Sequence, residues 1–337
     1  MDFSISRSVT ALAVGVAISV FAMQTATAQE NWKLATLMQH PAFGATLDDE
    51  FAAAITRSSG GKVVVERQFV GNEQEMVSQV VRGRLEMGGT SAFGSSVAVP
   101  NATVMSVPNI WDSDAQRRFV TDKYAFPVLA KQFEEKGLIL LAVHEAGYNG
   151  VFCKINCSDP ASLKGLKARV SPAAASKMFW SALHTNGVTL PISELWPGLE
   201  QNLVVAGDLP FSFYMTTPGA QSAPHFVVTQ HLHHPWLYFV NKGAWDKVDA
   251  ATRQKIQASL PDSNSVRDRW FADEKAKMKD FISKNGKVYE LNNAQKASWQ
   301  GLVKPHVDAF VDKLGPGAME LYKAIEKGKE EFKKQKS

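Results

Sequence analysis

Strand-like and helix-like segments alternate along this chain, and this alternation restricts the fold more than any other feature. The segment GGKVVVERQF opens on a Gly-Gly turn and is rich in valine, as strands are. The next segment, EQEMVSQVVRGRL, repeats apolar residues near helical spacing, at Met76, Val77, Val80, Val81 and Leu85. A later segment, LILLAVHE, is apolar enough to be a strand buried on both faces. Strands separated by helices predict parallel sheets flanked by helices, which is an α/β fold.

The alternation continues to the C-terminus, with strand patterns in GVFCKI and LKARV and a long helical pattern in SVRDRWFADEKAKMKDFISKNG. The chain has 337 residues, and at roughly 100–200 residues per domain this length predicts two domains. The sequence contains no internal repeat and no low-complexity linker. We therefore expect tight crossings between the two domains rather than a flexible tether.

The first 28 residues predict an export signal rather than part of the fold. Arg7 supplies the positive charge, SVTALAVGVAISVF is the apolar region, and Ala26-Thr27-Ala28 forms a cleavage site. The apolar run is shorter than the ~20 residues that span a bilayer, and no later segment is long and apolar enough to do so. The sequence therefore predicts an exported chain that begins near Gln29 and does not itself span the membrane.

The two cysteines of the chain, Cys153 and Cys157, lie close together in FCKINCSD. In an exported protein a local disulfide is the first hypothesis for such a pair, and two reduced cysteines in a bend are the alternative. The CxxxC spacing alone, with no second pair nearby, indicates neither a zinc site nor a catalytic role.

Common enzyme motifs and a nucleic-acid surface are both missing from the sequence. There is no G-x-S-x-G elbow, no G-x-x-x-x-G-K-[ST] loop and no G-x-G-x-x-G after a strand. The net charge of +4 is spread along the chain, and the lysine-rich end KAIEKGKEEFKKQKS is typical of a solvated helix face. The sequence therefore predicts no nucleic-acid partner.

The strongest candidate for catalysis or metal binding is QHLHHP, which contains His231, His233 and His234. Histidines at this spacing share a metal only if the backbone bends suitably, and the nearest following carboxylate is Asp246. The pattern favours a polar loop with one histidine near a cleft. An exported metal-dependent hydrolase or lyase built on the three histidines is kept as an alternative.

A lone arginine, Arg169, lies in the short apolar strand of ASLKGLKARVSP. A buried arginine requires a partner. Its planar, always charged guanidinium matches a carboxylate through two parallel hydrogen bonds. From the residues alone, a bound carboxylate and an internal one such as Asp208 or Glu194 are equal candidates for that partner.

The order and spacing of these segments resemble the solute-binding subunits of tripartite ATP-independent periplasmic (TRAP) transporters, the DctP type. GGKVVVERQF with EQEMVSQVVRGRLEMG is similar to that family's strand, helix and G-x-L-D-M turn. LKGLKARV is similar to its L-K-G-L-K-x-R-V-P motif, and LPISELWPGLEQNLVVAGDLP to its P-M-x-F-S-E-V-Y-x-A-L-Q-x-x-x-V-D-G-Q-E-N-P motif. The resemblance extends over nearly the whole chain that follows the export signal.

The resemblance implies two α/β lobes joined by crossing strands and a long interlobe helix, which close on a small ligand. It divides the chain into lobe I, residues 29–150 with 242–281, and lobe II, residues 151–241 with 282–337. It implies a solute-binding protein of a TRAP-type secondary transporter, which holds a small organic acid through a salt bridge from Arg169 and delivers it to membrane-integral subunits. No enzymatic activity and no cofactor are implied. A second alternative keeps the fold but couples it to sensing, with a receptor as partner.

Three departures from the family pattern predict the kind of acid. Phe152 stands where members that bind acidic sugars carry a second arginine, Ile192 replaces an aromatic residue, and VAGDLP replaces D-G-Q-E-N-P. Because each buried hydroxyl of a sugar needs a polar partner, the loss of polar residues disfavours an acidic sugar. We expect a monocarboxylate with an apolar or aromatic body.

Further candidates follow from the positions of strand ends, because ligands of open α/β sheets bind beyond the carboxyl ends of the strands. About half of the aromatic candidates are expected to be packing residues. The full set of predicted ligand-binding residues is Gln39, His40, Phe43, Asn72, Thr90, Ser91, Trp111, Asn149, Phe152, Arg169, Asp208, Phe211, Phe213 and His231, with Phe93 and Tyr214 as neighbouring candidates.

Overall fold

The computed structural model describes residues 29–335 and the first residue, so that residues 2–28 of the predicted export signal lie outside the described residues. The strands are β1 (Glu30–Thr36), β2 (Val63–Phe69), β3 (Met87–Ser91), β4 (Leu138–Cys153), β5 (Lys167–Val170), β6 (Asn186–Thr189), β7 (Ala206–Pro210), β8 (His225–Val228), β9 (His233–Asn241) and β10 (Lys287–Glu290).

Helices separate and follow these strands. They are α1 (Phe43–Ser58), α2 (Glu73–Val81), α3 (Ala92–Ser95), α4 (Asp114–Val120), α5 (Phe126–Glu134), α6 (Ala174–Ala182), α7 (Ile192–Glu200), α8 (Phe211–Tyr214), α9 (Gly219–Ser222), α10 (Lys242–Asp246), α11 (Ala250–Ser259), α12 (Ser263–Ser283), α13 (Asn293–Val303), α14 (Val307–Leu314) and α15 (Pro316–Lys334). Short 3-10 helices span Pro100–Ser106, Pro160–Leu163 and Lys304–His306, and a π-helical turn spans Thr121–Ala125.

The sixteen-residue strand β4 belongs to two sheets. Its first part pairs antiparallel with β9, which completes a first sheet in the order β2-β1-β3-β9-β4. Its last part, from Asn149 to Cys153, pairs antiparallel with β7. This second sheet continues as β4-β7-β5-β6, with β8 on the other edge of β4 and β10 beside β8. The predicted two-lobed α/β fold is confirmed, and one continuous strand joins its two sheets.

Each sheet has an apolar cluster on both faces, because successive side chains of a strand point to opposite sides. On β9, Leu237 and Phe239 enter one cluster of the first sheet, whereas Tyr238 enters the other. On β4, Val151 and Phe152 likewise enter opposite clusters of the second sheet. Helices cover all four faces, which explains why the strand segments are nearly continuous apolar runs in the sequence.

The helix that follows β2 shows how local sequence sets the start of an element. The side chain of Asn72 accepts a hydrogen bond from the backbone N–H of Glu75 and so caps α2. Met76, Val77 and Val80 form the buried stripe of this helix, and Glu75 faces solvent. The cap directs the first turn of α2 toward the end of β3.

Helix α12 packs against both lobes. Its N-terminal half places Val266 and Trp270 in the first sheet's core, and Phe281 lies in the second sheet's core. At 1.5 Å per residue, the eleven positions from Trp270 to Phe281 cover about 16 Å. A single helix therefore connects the two cores in addition to the shared strand, as the long interlobe helix was predicted to do.

Two segments pack with a different sheet from the one predicted. Strand β9, at residues 233–241, was assigned to lobe II but pairs with β3 and β4 in the first sheet. Helices α14 and α15 were also assigned to lobe II, yet Val311, Leu321 and Ile325 are buried in the first sheet's core. Because strand pairing and apolar burial decide which core an element joins, both segments lie with the first sheet. The rest of the predicted division stays a prediction.

Cys153, the last residue of β4, forms a disulfide bond with Cys157, and both residues are buried in the second sheet's core. The disulfide therefore lies within the second lobe, and neither cysteine lines the cavity described below.

None of the helices within residues 29–335 combines the length and the hydropathy that a membrane span needs.

A substitution at Gly150 tests how tightly β4 packs at the point where it enters the second sheet. A Cβ atom at this position would overlap the ring of Phe226 and lie 2.7 Å from the carbonyl oxygen of Val227. We expect Gly150→Ala to lower the free energy of unfolding by about 1–3 kcal/mol, because the rigid strand β8 must move. The measurement is chemical denaturation of the full exported chain.

Gly301 is the matched control, because it lies in the exposed face of α13 with open space around its Cα. Gly301→Ala is expected to raise stability by about 0.5–1 kcal/mol, since alanine restricts the unfolded chain. Equal stability changes for the two variants would contradict the packing described at Gly150.

Candidate ligand-binding site

A cavity lies between the two sheets, with about 520 Å³ of empty space including its opening to solvent. Its walls come from both sheets and from α2, α3, α7 and α8. They consist of Leu37, Met38, Glu73, Phe93, Ala146, Asn149, Arg169, Ser171, Ile192, Asp208, Leu209, Pro210, Phe213, His234 and Trp236.

Arg169 lies on β5 in the wall of the cavity and is 5% exposed. Its Nε donates a hydrogen bond to the carbonyl oxygen of Leu190 at 3.0 Å. Among the described residues, no carboxylate forms an ion pair with the guanidinium, and Glu194 is exposed on α7. Burial lowers the pKa of Arg169, and the charges of Asp208 and Glu73 offset this only in part. The internal partner considered from the sequence is therefore not formed.

Asp208 lies on β7 and is also buried in the wall. Its Oδ2 accepts a hydrogen bond from Asn149 Nδ2 at 2.6 Å, and its Oδ1 accepts one from Trp180 Nε1 at 2.9 Å. The Nε2 atom of His231 lies 3.4 Å from Oδ2. Burial alone would raise the pKa of Asp208, but His231, Asn149 and the charge of Arg169 together hold it below its ordinary value. Protein donors thus occupy both oxygens of this carboxylate.

Glu73, which sequence reasoning missed, is the second carboxylate of the wall. Its Oε1 accepts hydrogen bonds from the hydroxyl groups of Thr90 and Ser91, both at 2.7 Å, and from the backbone N–H of Ser91 at 3.2 Å. The predicted residues Thr90 and Ser91 therefore hold Glu73 rather than line the cavity, and Asn72 caps α2. The sequence feature that could have identified Glu73 is its position as an acidic residue in the first turn of a helix that follows a strand.

Three of the predicted aromatic residues lie in a core of the second sheet rather than in the cavity. Phe152 and Phe211 are buried in a core of the second sheet together with Tyr214, whose ring stacks on Phe152 at 5.3 Å. The position of Phe152 is set by strand alternation, which turns its side chain away from the face that Val151 occupies. Phe213 and Phe93 do line the cavity. Together with Phe43 and Trp111, described next, five of the seven aromatic candidates are packing residues, which is more than the expected half.

The candidates at the end of β1 and near Trp111 also lie elsewhere. Gln39 and His40 are exposed, and His40 bonds to Asp49 at 2.7 Å. Phe43 packs against Trp270. Their neighbours Leu37 and Met38 line the cavity instead. Trp111 is half-buried and packs on a core of the first sheet.

The three histidines of QHLHHP have three separate environments. His231 is buried, lies 2.7 Å from the hydroxyl of Thr229 through Nδ1, and stacks on Phe179 at 3.7 Å. His233 bonds to Glu145, and His234 lines the cavity. No group of three or more histidine, cysteine, aspartate or glutamate side chains within the described part of the chain is arranged to hold a metal ion. The metal site of the alternative hydrolase or lyase is not formed by these residues.

A buried ion cluster lies where β4 passes from the first sheet to the second. The carboxylate of Glu145 accepts hydrogen bonds from Arg117 at 2.7 Å, from His233 at 2.6 Å and from the backbone N–H of Gly147 at 2.7 Å. Burial alone would raise the pKa of Glu145, but Arg117 and His233 lower it far below its ordinary value. This cluster fixes the irregular register of β4 beside the cavity.

A family model described as bacterial extracellular solute-binding protein, family 7 (DctP), matches residues 37–314. A solute-binding protein of Verminephrobacter eiseniae (strain EF01-2) is 26% identical over 326 residues, which is 95% of this chain and 97% of that relative. The family model spans every residue of the cavity wall.

Two solved structures have the same fold. A TRAP periplasmic solute binding protein from Roseobacter denitrificans, with bound β-D-glucuronate, has a TM-score of 0.81 and 22% identity over 88% of this chain and 99% of that chain. A TRAP periplasmic solute binding protein from Desulfovibrio salexigens, with bound orotic acid, has a TM-score of 0.85 and 17% identity over 90% of this chain and 99% of that chain.

The ion cluster predicts a pH dependence that His233→Gln should reduce. Burial lowers the pKa of His233 to about 4, so the unfolded chain, in which histidine titrates near 6.5, binds this proton more readily. The folded state therefore loses stability as the pH falls from about 6.5 to 4, by roughly 3 kcal/mol from this group. Glutamine keeps an N–H donor for Glu145 and cannot titrate. Denaturation curves between pH 4 and 8 measure the difference.

The control is His306→Gln at an exposed position, which is expected to leave the pH profile of the wild type unchanged. If His233→Gln loses stability on acidification as steeply as the wild type does, His233 is not the titrating group.

Proposed function

Because the chain belongs to family 7 of the bacterial extracellular solute-binding proteins, the DctP family, we propose that it captures a small organic acid through Arg169. The observation that carries this proposal is the absence of an ion-pair partner for Arg169 among the described residues, although the guanidinium is buried in a cavity wall. A buried charge without a partner is costly. A ligand carboxylate would supply that partner through charge-assisted hydrogen bonds.

A captured ligand would contact residues from both sheets. The cavity wall contains Trp236 and Met38 from the first sheet's side and Arg169 and Asp208 from the second. A ligand that contacts both sides stabilises the closed arrangement more than the open one, so binding shifts the population toward closure. No covalent step is needed for this function, and no cofactor is part of the proposal.

The wall composition supports a monocarboxylate with an apolar or aromatic body. Nine of the fifteen wall residues are apolar, among them Phe93, Phe213 and Trp236. The side chain of Asp208 already has its donors within the protein. A ligand with many hydroxyl groups would leave several of them without partners, which is unfavourable in a buried site. The solved relatives are described with glucuronate and with orotic acid, so the family fold accommodates acids of different polarity.

We place the protein in the periplasm, where it would deliver its ligand to the membrane-integral subunits of a TRAP transporter. Both solved relatives are described as TRAP periplasmic proteins. The predicted export signal supports the same location. Closure around the ligand would give those subunits a surface that differs from that of the empty protein.

A thermal-shift screen of the refolded chain against aliphatic, hydroxy, keto and aromatic acids tests the proposal. An acid at 100 times its dissociation constant should add about 2.7 kcal/mol of stability. Arg169→Met is expected to abolish this shift, and Arg169→Lys to weaken binding at least ~10-fold, because lysine lacks the planar fork.

The control is Arg57→Met, which makes the same substitution at an exposed residue of α1 and should bind the acid normally. A screen in which no acid stabilises the protein would reject the proposal. Stabilisation by zinc instead, lost when His231, His233 and His234 are replaced, would favour the alternative hydrolase or lyase.

A further inference from the structure

We propose that the ligand is a small zwitterion whose carboxylate pairs with Arg169 and whose cationic nitrogen pairs with Glu73. This inference rests on the proposed function and names the class of acid that the same cavity selects. Three independent features of the cavity support it: an unused carboxylate oxygen, the sum of the charges in the wall, and the aromatic residues beside them.

The unused oxygen belongs to Glu73. All three hydrogen bonds that reach this side chain end on Oε1, and Oε2 accepts none from the described residues. The side chain is 9% exposed and lines the cavity. By contrast, Asn149 and Trp180 each donate to a different oxygen of Asp208. Glu73 is therefore the carboxylate of the wall that has an acceptor to offer to a ligand.

The hydrogen bonds at Oε1 make Glu73 a positioned group. Thr90 and Ser91 are themselves buried at the end of β3, so their hydroxyl groups hold the carboxylate in one place. A ligand donor that meets Oε2 would find an acceptor that is already oriented, and little side-chain entropy would be lost on binding.

The sum of charges also favours a cationic group. Glu73 and Asp208 contribute two negative charges to the wall, Arg169 contributes one positive charge, and burial lowers the pKa of His234 so that it is neutral. The side chains of the wall thus place two carboxylates and one guanidinium around the cavity, with His231 beside Asp208. A simple monocarboxylate would add a third carboxylate to this buried set, whereas a zwitterion adds no net charge. Unbalanced charge is costly where water is excluded.

The aromatic residues provide the third feature. Phe93, Phe213 and Trp236 line the same cavity as Glu73. The faces of such rings attract cations, and this attraction is strongest where the cation is desolvated. A hydroxyl group could donate to Glu73 as well, but it would gain neither the charge balance nor the contact with the rings.

Matched ligand pairs test the proposal by calorimetric titration of the full exported chain. The probes are 2-, 3- and 4-amino acids with branched or aromatic bodies, each paired with the hydroxy acid of the same skeleton. For the skeleton that binds, the amino acid is expected to bind roughly 10–100-fold more tightly, the range for a charge-assisted hydrogen bond. Glu73→Gln should reduce this preference to less than about 3-fold.

Two further variants serve as controls for Glu73→Gln. Glu75→Gln removes the same charge from the exposed side of α2 and should retain the preference of the wild type. Glu73→Asp keeps the charge and should retain most of the preference, so that a loss seen only in Glu73→Gln is assigned to the charge.

The outcomes separate this inference from the proposed function. If hydroxy acids bind the wild type as tightly as their amino counterparts, and binding still requires Arg169, the zwitterion inference is wrong and the function stands. If neither member of any pair binds but another acid of the thermal-shift screen does, the zwitterion inference is wrong and the function stands; if no acid binds in either experiment, the proposed function itself fails. A preference for amino acids that survives Glu73→Gln would assign the cationic nitrogen to another group.

Discussion

The two halves of this protein depend on one continuous strand. β4 supplies backbone hydrogen bonds to β9 in the first sheet and to β7 and β8 in the second, so neither sheet is complete without it. The register of β4 shifts between Glu145 and Tyr148, just before the strand enters the second sheet. The buried carboxylate of Glu145 forms an ion pair with Arg117 and accepts a hydrogen bond from His233. Removal of one partner from such a cluster leaves an uncompensated charge, which explains why three groups from three segments meet there. The cavity lies beside this crossing, and helix α12 connects the two cores a second time.

The electrostatics of the cavity differ from those of the crossing. At the crossing, each charge has a partner inside the chain, and the cluster serves the fold. In the cavity wall, Arg169 has a backbone acceptor but no ion-pair partner among the described residues, and Glu73 has a free oxygen. The protein therefore carries buried polar groups that its own side chains leave incomplete. Such groups reduce the stability of the empty protein and become favourable only when a ligand of matching chemistry arrives.

Much of the site could be predicted from the sequence, but unevenly. Arg169 was identifiable because an isolated arginine in an apolar strand requires a partner, and Asp208 was named as one internal carboxylate that could pair with it. Glu73 was missed because an acidic residue at the start of a helix has a sufficient local explanation in the helix dipole. Phe152 was placed in the cavity by the family pattern, yet strand alternation and the ring of Tyr214 hold it in the core. Local patterns identify residue types that need partners, but they do not show which face a side chain occupies.

The sequence by itself determined the α/β class, the two-lobed plan and the family, because periodic burial and the order of motifs are properties of the linear chain. It did not determine which sheet receives β9, α14 and α15, because several apolar surfaces compete for each element and only the complete packing decides between them. It also did not determine which polar residues meet at the cavity. Glu73, Arg169 and Asp208 are far apart in sequence, and only the crossing of β4 between two sheets brings them into one wall. Tertiary structure decided this because the contacts of a buried charge depend on distance in space and not on position along the chain.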